Sequence, residues 1–175
     1  SRSEHSAMLM PGGRVLVTGG TGSLLFNPLT ESFIALGSDF STPVGATSAT
    51  LADGRVVIVG GTRAETPSDE VFIFDEGRGA PEQRKPAFNK ASITAQPGDV
   101  VTLSGSKLVS DSEGSASNPQ GTAVNVALVQ MERIDNHRLQ YVRTTNWSAT
   151  TVSFQVPSTA QSGWHWIRPV TNGVV

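Results

Sequence analysis

Two stretches decide how this chain folds: HSAMLMPGGRVLVTGG at residues 5–20 and TSATLADGRVVIVGG at residues 47–61. With a one-residue gap, Ser6-Ala7 aligns with Ser48-Ala49, and Gly19-Gly20 aligns with Gly60-Gly61. A recurrence at about this interval is the mark of a repeated supersecondary unit. Each copy reads as a short strand ending at Leu9 or Leu51. A tight turn follows at Gly12-Gly13 or Asp53-Gly54, and then an apolar strand, Val15-Leu16-Val17 or Val56-Val57-Ile58-Val59. A strand apolar at every position is expected to be covered on both faces. Each copy then reaches an aromatic strand, Leu24-Leu25-Phe26 or Val71-Phe72-Ile73-Phe74. In the first copy a further hairpin passes Asn27-Pro28-Leu29-Thr30 and returns through Ser32–Leu36.

Outward from the repeats the pattern changes. Residues 76–90 are charged and carry Gly and Pro, the composition of a linker. Beyond them, strands are expected around Ile93, Val100–Leu103, Ala123–Val129, Arg138–Val142, Thr151–Val156 and Trp164–Ile167. Pro97-Gly98-Asp99, Ser104-Gly105-Ser106, Ser162-Gly163 and Asn172-Gly173 supply the turns, and a Ser/Gly/Asn loop interrupts the strands at 110–120. The expected organisation is all-β: two repeat units over 1–75, a linker over 76–90, and an immunoglobulin-like β-sandwich over 91–175. Two separate cores follow from the alternation, one holding Val57, Val59, Phe72 and Phe74, the other Val101, Leu103, Val126, Leu128, Phe154 and Val156.

Composition narrows the function classes. The 175 residues carry a net charge of −2, so no basic excess exists to attract nucleic acid. No apolar run is long enough to span a bilayer as a helix. The absence of cysteine removes disulfides, thiolate metal ligands and thiol nucleophiles. The chain opens on Ser1-Arg2-Ser3, from which a processed product or a piece of a longer protein is expected.

The repeated stretches resemble the kelch repeat, one blade of a β-propeller. Propellers close with about 4–8 blades, so two units are expected to be part of an incomplete propeller. Blades followed by such a sandwich resemble the C-terminal part of the galactose oxidase family. The resemblance rests on the two repeats, the RKPAFNKASI junction at 84–93, VALVQ at 126–130, and VSFQVPSTAQSGWHWIRPVTNGV at 152–174, which is similar to that family's immunoglobulin-like (E-set) C-terminal domain. It implies an extracellular protein, secreted or at the cell surface. It also implies a copper site of two tyrosines and two histidines, one tyrosine crosslinked to a cysteine. The family's catalytic Tyr-His pair falls at Ala46-Thr47 here, and neither residue offers an imidazole or phenolate donor. The last histidine ligand would fall near the Met131–His137 loop, which looks shortened. No catalytic residue, metal ligand or cofactor is therefore assigned.

Other chemistry is sparse. His5 heads the first repeat, and His165 sits between Trp164 and Trp166. Asp111 and Glu113 offer oxygen ligands without the spacing of a calcium loop. Gly19-Gly20-Thr21-Gly22 lacks the lysine of a phosphate loop, and Asn146-Trp147-Ser148 fits a glycosylation sequon. The leading expectation is a non-catalytic binding or structural part of an extracellular protein. Its candidate contacts for carbohydrate or protein are Trp164, Trp166, Tyr141 and His137, with Trp147 as a further aromatic. The alternatives are the C-terminal part of a copper-radical oxidase and a self-assembling structural subunit. Expected partners are further propeller blades or another copy of the chain.

Overall fold

The computed structural model describes residues 4–20, 22–89, 92–109 and 127–175, and the chain is all-β. Among the described residues there is no α-helix, only two single 3-10 turns at Ser38–Phe40 and Glu82–Arg84. Among the described residues no helix is long and apolar enough to cross a membrane.

The first repeat is a four-stranded antiparallel meander of β1 (Ser6–Leu9), β2 (Val15–Thr18), β3 (Leu24–Asn27) and β4 (Ser32–Ala35). The second starts with β5 (Thr47–Thr50) and β6 (Val56–Val59). A small hairpin, β7 (Thr62–Arg63) with β8 (Thr66–Pro67), intervenes before β9 (Val71–Phe74) completes a three-stranded sheet in the order β5-β6-β9. The two repeats close their first hairpin identically. Met10 N donates to Arg14 O at 2.7 Å and Gly13 N to Met10 O at 2.9 Å. Leu51 N donates to Arg55 O at 2.7 Å and Gly54 N to Leu51 O at 3.0 Å. Gly13 and Gly54 both take φ 89°, a conformation that glycine adopts without a Cβ penalty.

These matched turns remove the gap expected between the copies. Met10 corresponds to Leu51, so Met8 corresponds to Ala49 rather than to Thr50. Side chains alternate along a strand, so a one-residue offset exchanges inside for outside. The expected core of the second repeat is corrected as well: β6 is apolar at every position, so alternation does not choose its inner side, and Val56 and Ile58 are fully buried, whereas Val57 is half-buried and Val59 is 40% exposed. Phe72 and Phe74, opposite Ile58 and Val56, pack against that core as expected. Burial of both faces is not found. Each repeat sheet buries one face only, with Met8, Leu16 and Leu25 of the first in one cluster with Val56 and Ile58 of the second. Phe40 bridges to Phe74 with ring centroids 5.1 Å apart, and Ser6 Oγ hydrogen-bonds Ser48 Oγ across the buried junction.

The remaining strands are β10 (Ala87–Phe88), β11 (Val100–Ser106), β12 (Leu128–Arg133), β13 (Leu139–Trp147), β14 (Thr151–Gln155) and β15 (His165–Val170). They form one six-stranded antiparallel sheet in the order β10-β11-β14-β13-β12-β15, curled until its outer strands β10 and β15 meet. The long strand β13 makes the curl. Its first half, Leu139–Arg143, pairs with β12, its last part pairs with β14, and a register shift between Thr144 and Asn146 separates the two. A bulge of this kind bends a strand and lets it serve two layers. The curl encloses Val101, Leu103, Val152 and Phe154 against Val129, Met131 and Val142. Of the expected core, Val156 is also buried, Leu128 is half-buried beside buried Ala127 and Val129, and Val126 lies outside the described residues. No strand forms at Ile93, which is 45% exposed. The stretch expected as a linker contributes β10, which pairs with the end of β11 through Phe88 and Gly105.

Side chains from the later part of the chain hydrogen-bond backbone carbonyls of the first repeat. Arg84 Nη1 donates to Met10 O at 2.6 Å and to Pro11 O at 2.8 Å, and Asn172 Nδ2 donates to Leu9 O at 3.0 Å. Arg14 pairs with Glu76 nearby. The Asn172-Gly173 turn has left-handed φ values of 49° and 71° and presses on the second repeat's hairpin, where a Cβ on Gly173 would lie 2.4 Å from Gly54 Cα. Gly173→Ala is therefore expected to destabilise the protein by at least about 1–3 kcal/mol, combining φ strain with a backbone clash. Gly79→Ala, at an exposed position where a new Cβ meets nothing, should change little. Chemical denaturation of the two variants checks the contrast.

Candidate functional site

The strand registers of β12, β13 and β15 gather a single outward face. Glu132 stands between Trp166 on β15 and Leu139 on β13, and Gln130 stands between Arg168 and Tyr141. Residues directly opposite on neighbouring strands project to the same side. Trp164 precedes Trp166 by two residues in the same alternation, and its carbonyl accepts from Ile134 N at 3.0 Å, which extends the β12–β15 ladder. The intervening residues Ile167 and Val142, with Val129 and Met131, turn inward onto the core.

This face is apolar at its rim and polar along its middle. Trp164 is 74% exposed, Trp166 57%, Leu139 47% and Tyr141 38%. A chain of hydrogen bonds runs between them. Gln130 Nε2 donates to Tyr141 Oη at 3.2 Å, and Arg168 Nη1 donates to Gln130 Oε1 at 3.2 Å and to Glu132 Oε2 at 2.5 Å. The other Glu132 oxygen lies 2.9 Å from His137 Nδ1. His137 reaches this place because the turn between β12 and β13 folds back tightly. Arg133 N donates to Arg138 O, His137 N donates to Arg133 O, and His137 itself takes φ 54°. The Arg168 guanidinium, and after it the His137 imidazole, hold the Glu132 carboxyl below the ordinary carboxylate range. Glu132 is thus a carboxylate at neutral pH that orients two flanking groups.

All four contact residues expected from the sequence, Trp164, Trp166, Tyr141 and His137, lie on this one face. Trp147 does not join them; past the bulge it sits opposite Val152, on the other side of the sheet. Gln130, Glu132, Arg168 and Leu139 were not legible as site residues. The available signal was the alternation Gln130-x-Glu132 and Trp164-x-Trp166-x-Arg168, which gains meaning only once the two strands are known to be neighbours.

The other candidates do not assemble. His165 faces the opposite side, across from Arg133, with Nδ1 3.0 Å from Gly163 O. There it borders a shallow depression shared with Gln140, Thr159 and Gln161. His5 is exposed ahead of β1. Asp111 and Glu113 lie outside the described residues, as does Thr21 of the glycine-rich turn. Among the described residues no three His, Cys, Asp or Glu side chains converge on one point. Ala46, where the resemblance would place half of a copper-binding pair, is buried against Gly61, and Thr47 beside it supplies no nitrogen or phenolate donor. The residues present at this position do not fit a copper ion.

No family model and no curated protein matches the chain. Among solved structures, it is similar to a fungal alcohol oxidase described as having catalytic diversity among the AA5 family, in complex with copper. The identity is 19% over 99% of this chain, and the TM-score is 0.37. This chain spans 40% of that structure's length. At that level the similarity carries no argument about activity.

The Glu132 cluster predicts a titration. A carboxyl whose folded pKa is lowered stabilises the fold above its unfolded value, about 4.3, and that contribution is lost as pH falls through the lowered folded value. The Glu132 side-chain NMR signal should titrate below that of a free glutamate and move upward in Arg168→Ala. A midpoint unchanged by the substitution contradicts the cluster.

Proposed function

We propose that this chain is a non-catalytic binding module of an extracellular protein, secreted or at the cell surface, and that the outward face of β12, β13 and β15 is its carbohydrate-binding surface. In this reading residues 1–75 are two kelch-type propeller blades and residues 91–175 an immunoglobulin-like domain. The single observation that carries the proposal is the alternation of exposed aromatic side chains with a hydrogen-bonded polar row on one sheet face. Exposed indole faces offer flat apolar area, and Trp164 and Trp166 make no ring contact among the described residues. The C–H face of a pyranose matches such a surface. Gln130, Arg168 and Glu132 offer donors and acceptors already held in place, which a sugar's hydroxyls can meet without the ordering cost of free side chains. The face is open rather than enclosed, which suits an extended polysaccharide better than a small molecule.

Affinity electrophoresis through gels containing soluble polysaccharides tests the proposal. Retardation by at least one polysaccharide is expected, weakened about tenfold by Trp166→Ala, since stacked aromatic anchors contribute on the order of 1–3 kcal/mol. Trp147→Ala, off the face, should bind as the parent does. Retardation by none, or equal loss in both variants, overturns the assignment.

The copper-oxidase alternative makes a separate prediction. The chain expressed with copper and dialysed against a mild chelator should retain far less than one copper per molecule. One equivalent by elemental analysis would show that residues other than Ala46 and Thr47 supply the donors.

A further inference from the structure

The inner side of β12 continues past the core of the curled sheet. Met131 stands between Ile167 on β15 and Gln140 on β13, and both Met131 and Ile167 pack on that core. Two residues further along, the same side carries Arg133, opposite His165 on β15. On its other flank, where the register of β12 on β13 runs into the turn, stands Arg138, whose carbonyl accepts from Arg133 N at 3.0 Å. The rung is basic from end to end. Like charges directly opposite on neighbouring strands are destabilising, and neutral polar side chains would fill these places without that cost.

One carboxylate answers this rung. Asp135 pairs with Arg133 at two points, Nη2 donating to Oδ2 at 2.8 Å and Nε lying 2.7 Å from Oδ1. Arg133 Nη1 also donates to Gln161 Oε1 at 2.7 Å, so its guanidinium is held in place. Gly163 leaves room for it, since a Cβ there would lie 3.4 Å from Arg133 Nε and Nη2. Glu132 is turned to the outer face and engaged by Arg168 and His137. Arg138 is left over: it is exposed, and its guanidinium makes no hydrogen bond or ion pair among the described residues. Arg133, Arg138 and His165 share with Gln140, Thr159 and Gln161 the depression at this end of the sheet, over Met131 and Ala160. The depression thus joins a concave surface, fixed donors and an uncompensated cation.

We propose that this depression is a carboxylate-binding site, with the Arg138 guanidinium as its anchor and the Gln161 amide as a second donor. The planar fork of a guanidinium matches the two oxygens of a carboxylate, which makes arginine the side chain suited to this ligand. The bound anion supplies the second negative charge that the basic rung lacks. The ligand is a small carboxylate, free or borne on a sugar acid. The site lies on the inner side of β12, away from the exposed tryptophans, and is independent of the carbohydrate reading of the outer face.

NMR titration with acetate and with D-glucuronate tests the proposal, with galactose as the neutral control and the ionic strength held constant. The Arg138 guanidinium and Gln161 amide signals are expected to shift saturably with a carboxylate, in the millimolar range, and not with galactose. Tighter binding of glucuronate than of acetate would place the carboxylate on a sugar, and equal binding would show that the carboxylate alone is read. Arg138→Gln, followed through the Gln161 amide, should weaken binding at least about tenfold, the worth of one hydrogen bond to a charged group. Without ligand the same variant should keep the parent's denaturation midpoint or exceed it, because a like charge has left the rung. If it does not fold, Arg138→Lys, which keeps the charge and loses the fork, takes its place and should also bind more weakly. No saturable shift with either carboxylate, an equal response to galactose, or unchanged binding in the variant overturns the proposal.

Discussion

The length of two turns governs the repeat half of this protein. Met10–Arg14 and Leu51–Arg55 close with the same pair of backbone hydrogen bonds, and that fixes the register of β1 on β2 and of β5 on β6. Register in turn sets which side chains share a face, because the alternation has a period of two; the stacking of the two sheets sets which face is inward, since Leu16 is buried while its counterpart Val57 is half-buried. With Val56 and Ile58 inward, they meet Met8, Leu16 and Leu25 from the first sheet, and Phe72 and Phe74 close over them. The Gly54 turn then lies where the Asn172-Gly173 turn can rest on it, so the same hairpin sets the seat for the C-terminal end.

The curled sheet obeys the same constraint. The tight turn between β12 and β13 pairs Glu132 with Leu139 and Gln130 with Tyr141, and β15 adds Trp166 and Arg168 to the same rungs. Hydrophobic burial on the inner side holds this register, since a one-residue slip would turn Val129 and Met131 outward. The outer face is then left with aromatic side chains that no core needs and polar ones that satisfy each other. The proposed carbohydrate surface is a consequence of how the inner side packs.

Legibility in the sequence followed the range of the interactions. Strands β2, β6, β11 and β14 were readable from local apolar patterns and turn residues. The repeat was readable from identity, but identity aligned Ser6-Ala7 with Ser48-Ala49 and so placed a gap where the backbone has none. A separate error fell on Val57 and Val59, which alternation alone placed inward; β6 is apolar at every position, so the side that packs is decided by contact with the first sheet. Ile93 resembled a strand locally but found no partner, while Ala87-Phe88, read as linker, found β11. Aromatic site residues stood out by type. Gln130, Glu132 and Arg168 did not, because the bonds of Arg168 to Gln130 and Glu132 join strands separated by more than thirty residues.

The inward direction of Val56 and Ile58 is the claim on which the rest depends, and a charge scan along β6 tests it most directly. Ile58→Asp and Val59→Asp place the same carboxylate one residue apart on the same strand. An unpaired charge in the packed interior is far more costly than one at a half-exposed position. The account predicts that Ile58→Asp abolishes the cooperative unfolding transition, while Val59→Asp keeps it with a midpoint close to that of the parent. The reverse order, with Val59→Asp unfolded and Ile58→Asp tolerated, would contradict the inward direction of Val56 and Ile58 and the packing of the two repeat sheets that rests on it.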